Sequence, residues 1–364
     1  MAGRPFFIEL MFKKYDNISI KIYWFKYMYL LKYMCLKNGG RQKIMKKSKL
    51  LLIPAVLALG SLASCGGTKE VSLGLGYVAS FGESHGTMQL EVSVASAGFD
   101  KDGKVVDARF DTIQVKHAAV KNADETFTFS TSSLTNDNGV KSKLELGKDY
   151  GMKDDSKLGI EVDTQIETFA DFCVGKTVEE IKAAKSVEGV SIVVSSYVSA
   201  LEKAYASKRE AVSYKGELKA GVGMAGTLSA KGEAAITVNA SLVSDSKVVA
   251  SYTDCVVHQV SAAVEGEKVV ISSKEGQKYV VDGKITSKYD LHSAYGMIED
   301  DKNKLHLEWD AQAENFDAAV VGKTAEEIKA LTEIEGCTIV ATGLIAAAAE
   351  AVTYSGMEHV GPQA

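Results

Sequence analysis

The chain has 364 residues, 46% of them hydrophobic, with 42 Lys and Arg against 47 Asp and Glu and a formal net charge of −5. The first 64 residues are basic, so residues 65–364 carry −15, a balance that repels phosphate backbones and anionic headgroups and argues against nucleic-acid binding or electrostatic adsorption to a membrane. Five Cys without a CxxC spacing, and six His without an HExxH or finger-like arrangement, give no basis for a disulfide framework or a structural metal.

In chain order, residues 1–44 are rich in Lys, Tyr, Ile, Phe and Met, and Lys26 and Lys32 interrupt their apolar stretch. No clean span of about 20 apolar residues results. The segment reads as an over-extended leader ahead of Met45, a genuine basic extension being the alternative. Residues 45–64 then read as a secretory signal, with Lys46, Lys47 and Lys49 before the apolar run Leu50–Leu59 and small residues at the cut. Leu62-Ala63-Ser64-Cys65 resembles the bacterial lipobox. That resemblance implies a diacylglycerol on Cys65 and a protein held at the outer face of the cytoplasmic membrane. At about 0.8 kcal/mol per buried methylene, two acyl chains anchor stably where one is marginal.

After a short linker (65–71), alternating apolar residues predict half-buried antiparallel strands at Met88–Val94 and Val105–Phe110, with Asp100-Lys101-Asp102-Gly103 as their turn. A further strand is expected at Thr126–Ser130. Helical spacing follows over Asp163–Val174, ending at Gly175. Thr177 and Glu180 form a capping box for a short helix, and a last helix covers roughly Tyr197–Ala206. The series then repeats, with strands at Ala234–Leu242, Val248–Val257 and Val269–Ser273, helices at Asp310–Val321 and Gly343–Val352, and a capping box at Thr324 and Glu327. Gly175 to Ala183 returns almost unchanged as Gly322 to Ala330, and Tyr150-Gly151-Met152 as Tyr295-Gly296-Met297. A period this long is a whole domain rather than a solenoid unit. The expected fold is therefore α+β in two tandem domains, 72–212 and 213–358, joined near Lys208–Gly216 and followed by a tail at 359–364. Each is an antiparallel sheet with helices packed on it, long enough to bury its own core.

No autonomous catalytic set accompanies this frame, since GxSxG, P-loop and Rossmann patterns are all missing. A hydroxyl does recur at one place, Ser191 after Glu188-Gly189-Val190 and Thr338 after Glu335-Gly336-Cys337. It lies shortly before the last helix of each unit, where free backbone N–H groups and the positive dipole end favour a phosphate.

Ser142 to Lys153, Gly159 to Gln165 and Val174 to Lys182, with Glu308-Trp309-Asp310-Ala311-Gln312 in the second copy, resemble the FMN-binding domain of Gram-positive lipoproteins. With the lipobox and the duplication, the chain resembles the flavinylated lipoproteins of extracellular electron transfer. The resemblance implies covalent FMN, joined through its phosphate to a Ser or Thr hydroxyl by a separate flavin transferase that uses FAD and magnesium. By position the acceptors are Thr338 and Ser191. Both depart from the family motif Asp-x-x-Ser/Thr-Gly-Ala-Ser/Thr, with Glu335 and Glu188 at the first hydroxyl position, Cys337 and Val190 at the Ala, and no upstream Asp. Glu333 neighbours that Asp position in the second copy alone, which favours Thr338.

Tyr150, Gly151, Met152, Tyr295, Gly296, Met297 and Trp309 are the expected cofactor-binding residues, their aromatic and thioether side chains packing on the flavin ring or serving as ordinary core. The implied role is to pass electrons from a membrane quinol-oxidising partner to ferric iron, free flavin or another extracellular acceptor. The flavin would carry the redox chemistry and the protein its placement, and two flavins per chain would suit a short relay. The alternatives are a lipoprotein binding module whose FMN-type domains have lost flavin, and an extracellular reductase acting on a small acceptor.

Overall fold

The computed structural model describes residues 68–301 and 303–356. The predicted leader, signal peptide, lipidated Cys65 and tail lie outside the described residues.

The first half runs β1 (Lys69–Ser84), β2 (Thr87–Phe99), β3 (Val105–Lys121), β4 (Phe127–Thr131), β5 (Thr135–Asn136), β6 (Gly139–Val140), α1 (Lys143–Leu146), α2 (Val162–Cys173), α3 (Val178–Ala183) and α4 (Ser195–Ala206). After β7 (Val212–Tyr214) the same order returns as β8 (Lys219–Leu228), β9 (Glu233–Ser244), β10 (Lys247–Glu265), β11 (Lys268–Ser273), β12 (Val280–Val281), β13 (Lys284–Ile285), α5 (Lys288–Leu291), α6 (Trp309–Val320), α7 (Ala325–Lys329) and α8 (Thr342–Ser355). The fold is mixed α+β with antiparallel sheets.

Local chemistry explains the boundaries. Asp100 Oδ1 accepts from the amides of Asp102 (2.9 Å) and Lys104 (2.8 Å), closing the expected turn between β2 and β3. Both capping boxes form, Thr177 with Glu180 and Thr324 with Glu327. Gly175 and Gly322 take φ of 78° and 81° just beyond α2 and α6, a left-handed conformation that stops the helix. Their amides then donate to Val105 O and Val248 O, each at 2.8 Å, tying helix end to sheet.

The strands expected to be half buried are buried on both faces. One sheet is ordered β4-β3-β2-β1-β7 and another β11-β10-β9-β8-β6-β5, and they pack face to face. Along β2, Leu90, Val92 and Val94 point into the layer between the sheets, while Ala95, Ala97 and Phe99 point out to helices. The result is four layers: α2, α3 and α4 outside the first sheet, α6, α7 and α8 outside the second. Each half thus buries one sheet face against its own helices and the other against its twin.

The halves also interlock. The β5–β6 hairpin belongs to the first half but joins the second sheet, Val140 pairing with Gly226 on β8. In return, Ser287 of the second half donates its amide to Tyr77 Oη on β1 (2.7 Å), which donates to Asp290 Oδ2 (2.8 Å). Between them Arg209 meets Asp317 at 2.9 Å and lies 4.0 Å from the Tyr252 ring.

The last helix of each half lies directly on its sheet. A Cβ on Gly76 would stand 2.0 Å from Ala200 O, and one on Gly223 2.0 Å from Ala347 O. Both partners are backbone, which cannot step aside as a side chain does. Gly76→Ala and Gly223→Ala are each expected to cost about 3 kcal/mol, read as a lower urea midpoint at unchanged slope.

Between the sheets Phe81 lies against His117 (ring centroids 5.5 Å apart) and His258 (4.5 Å). Burial lowers both imidazoles, His258 to about 4. An unfolded imidazole titrates near pH ~6.5, so the stability from keeping them neutral is complete above that pH and is lost as pH falls toward 4. Buried Asp111 and Asp254, raised to about 7 by desolvation, act in the opposite sense, their contribution being lost as pH rises through that range. The expected outcome is therefore comparative: denaturant titrations from pH 7 to 4.5 show His258→Leu losing less stability on acidification than the parent. Equal slopes would remove His258 from the acid response.

Candidate functional site

Gln165 on α2 and Gln312 on α6 are fully buried amides, the first on an otherwise apolar helix face and the second on a face it shares with buried Asp310 and Asp317. Such a group needs partners, and both find the same ones. Gln165 Oε1 accepts from Ser191 N (2.7 Å), Ser191 Oγ (3.1 Å) and Ile192 N (3.2 Å). Gln312 Oε1 accepts from Thr338 N (2.7 Å), Thr338 Oγ1 (3.1 Å) and Ile339 N (3.2 Å). The amide nitrogens point the other way, Gln165 Nε2 to Ile160 O (2.9 Å) and Ser156 Oγ (3.2 Å), Gln312 Nε2 to Leu307 O (3.2 Å) and Asn303 Oδ1 (3.3 Å).

One buried amide per half therefore clamps the hydroxyl loop from below and leaves Ser191 and Thr338 exposed above. Two residues on, Val193 and Val340 are 83% and 82% exposed, an apolar lip beside each hydroxyl. Then α4 and α8 begin, and neither N-cap, Val194 or Ala341, supplies a side-chain bond to the first turn. This refines the expectation about free amides. Those at the hydroxyl itself are taken by glutamine, and those open to an anion lie at the helix start a few residues further along.

The glutamines went unnoticed in the sequence. A signal was available, because both stand at the same place in the repeat and Gln165 is the one polar residue among the buried positions of α2.

The Tyr-Gly-Met segments converge on this clamp. Gly151 and Gly296 take φ of 74° and 75° with nothing near a would-be Cβ, so glycine serves the turn alone. Glu161 Oε2 accepts from Met152 N (3.1 Å) and Lys153 N (3.2 Å), and Glu308 Oε2 from Met297 N (2.9 Å). Met152 Sδ lies 3.9 Å from Gln165 Nε2 and Met297 Sδ 3.8 Å from Gln312 Nε2. Methionine, glutamine and hydroxyl thus form one short chain in each half. Tyr150 and Tyr295 are half buried, with Lys143 Nζ 5.3 Å and Lys278 Nζ 4.0 Å from their rings. Trp309 is only 4% exposed, packed in the core with Leu291 and Ala313, so it offers no free face to a ligand.

A cleft of about 550 Å³ opens in the first half, and Tyr150, Gly151, Met152 and Asp155 line it. Ser156, next after Asp155, places its Oγ 3.4 Å from Ser191 Oγ.

The buried carboxyls serve structure instead. Asp111 Oδ1 accepts from Thr112 N (2.7 Å) and Leu144 N (3.1 Å), and Asp254 Oδ1 from Cys255 N (2.6 Å) and Tyr289 N (3.1 Å), fixing α1 and α5 to the sheets. Glu350, whose carboxyl burial raises to about 9, accepts from Met224 N at 2.9 Å. Among the described residues no cluster of three His, Cys, Asp or Glu could hold a metal ion, and no helix is long and apolar enough to cross a membrane. Comparison with protein-family models and with curated proteins finds no match to this chain.

Proposed function

We propose that the protein is an electron-transfer flavoprotein anchored outside the cell through Cys65, built of two FMN-binding-type domains that carry FMN esterified to Thr338 and, to a lesser degree, Ser191. The observation that carries this reading is the paired clamp: an exposed hydroxyl held by a buried glutamine ahead of an uncapped helix start, in the same geometry twice. A phosphate on either oxygen suits the open first-turn amides and the positive end of the helix. The glutamine oxygen orients the hydroxyl but is no base, so proton removal falls to the flavin transferase, which gives FMN to the oxygen and releases AMP from FAD. After esterification Gln312 still accepts from the amides of Thr338 and Ile339, and the loop keeps its shape.

Bound flavin would supply reversible electron uptake. The protein's share is placement: it fixes the phosphate end and sets Val340 or Val193 beside it. Electrons would arrive from a quinol-oxidising membrane partner and leave to ferric iron, free flavin or another extracellular acceptor.

Peptide mass spectrometry on protein from a transferase-competent host tests this. The expected result is an FMN-minus-water adduct on the Thr338 peptide, abolished by Thr338→Ala, with lower or no occupancy at Ser191. Colourless protein with neither peptide modified would sink the proposal. It would favour the second reading, a binding module without flavin, which the open cleft of the first half supports.

A further inference from the structure

The two halves differ most where the cleft lies. In the first half Thr112, Gln114, Leu134 and Leu146 line an open space. Their counterparts in the second half are Cys255, Val257, Tyr279 and Leu291, which pack into a closed cluster. Matching bonds fix the correspondence: Lys141 N donates to Leu134 O at 2.9 Å and Thr286 N to Tyr279 O at 2.8 Å, while Asp111 and Asp254 hold Thr112 and Cys255 alike. The strands keep their register, Ser132 N donating to Lys116 O as Lys274 N does to Gln259 O, but residues 275–278 stand where the first half has Ser133 alone, so the change lies in this longer segment and in the side chains. Leu134 is 56% exposed, whereas Tyr279 is 7% exposed, its ring centroid 6.4 Å from that of Tyr295. Gln277, within the stretch 275–278 that corresponds to Ser133 of the first half, completes the plug by bonding Gln259 through both N and O.

The second half thus displays what this place accepts, an aromatic ring set near a tyrosine with lysine ammonium groups overhead. Lys278 and Lys288 lie 4.0 and 5.3 Å from the Tyr295 ring. The first half keeps the tyrosine, Tyr150, and the lysine, Lys143 at 5.3 Å, but lacks the inserted ring. Lys116 and Lys141 add two more cations to the lining, against Asp149 and Asp155, an excess of positive charge in an acidic chain. A volume of about 550 Å³ falls within the ~300–1,000 Å³ of small-molecule sites.

The geometry points to a reversible binding site in the first half for a planar aromatic anion, seated where Tyr279 sits in the second. The site requires no modification at Ser191 or Thr338, and it shares Tyr150, Gly151 and Met152 with the residues expected to pack on a flavin ring. Aromatic stacking and ammonium–anion contact supply the affinity.

The test is isothermal titration of the full chain, produced without a flavin transferase, with anthraquinone-2,6-disulfonate. One molecule is expected per chain, with no competition from inorganic phosphate, which lacks the ring. Leu134→Tyr, which copies the plug at an exposed position, is expected to weaken binding at least about tenfold, and Lys141→Gln with Lys143→Gln about fivefold. Should Leu134→Tyr fail to fold, the lysine pair decides alone. Absence of saturable binding, two molecules per chain, or unchanged affinity in the folded variants would overturn the inference. Because no flavin ester is involved, its failure leaves the adduct experiment untouched.

Discussion

A chain that stops after β7, at residue 215, is expected not to fold. The layer between the sheets takes Val71, Leu73, Leu75, Leu90, Val92, Val94, Ile113 and Val115 from the first half and an equivalent set from the second. Each such side chain is worth about 1.5–3 kcal/mol when buried. Exposing only five of them would consume the ~5–15 kcal/mol that separates a native domain from its unfolded chain. The truncated chain would also lose the β8 partner of its β5–β6 hairpin and the Ser287 and Asp290 bonds to Tyr77. Residues 66–215 should show poorly dispersed amide signals and bind a hydrophobic dye, whereas residues 66–364 should unfold in urea as one transition. Two separate transitions in the longer chain would show that the halves do not depend on each other.

Gln312→Leu is the second large effect. Leucine matches the volume but accepts nothing, so the amides of Thr338 and Ile339 lose their partner and Thr338 Oγ1 loses its orienting acceptor. Each stranded donor costs about 1–3 kcal/mol where it is buried. The loop is half exposed and water relieves part of that, leaving about 2 kcal/mol overall. The functional loss should be larger, since a hydroxyl on a loop no longer held in place meets the transferase in the wrong geometry. Flavin absorbance per chain after denaturation should fall at least about tenfold at the Thr338 site, as expected when a reacting group is misplaced by about 1 Å. Gln312→Glu keeps the acceptor oxygen but replaces the Nε2 donor to Leu307 and Asn303. It should load better than leucine. Full loading in Gln312→Leu would detach the clamp from the proposed role.

Much of the secondary structure was legible because it depends on short-range chemistry. The capping boxes at Thr177 and Thr324, the turn at Asp100 and the stops at Gly175 and Gly322 each involve residues within four positions of one another. Strands β1 and β8 were not legible. Gly74, Gly76, Gly221 and Gly223 dilute their β-forming pattern, and those glycines are there for helices more than a hundred residues away. The shared layer was hidden too, because the alternation along β2 marks Leu90, Val92 and Val94 as one buried face, while the small Ser93, Ala95 and Ala97 give no sign that the other face is buried as well. Of the candidate site, the hydroxyls were legible from the repeat and the glutamine clamp was not. Trp309 was read as a ring-packing residue, and the core that encloses it is assembled from α5, α6 and β10, which no local pattern reveals.

The four-layer arrangement also sets direction. Because α4 and α8 cover opposite outer surfaces, the loops that precede them belong to opposite sides of the molecule, with two sheets about 10 Å apart between them. Prosthetic groups on Ser191 and Thr338 could not stack on one another. Each would meet its own visitor, so that a donor docked on one side leaves the other side free for an acceptor, and traffic could proceed at both without either displacing the other.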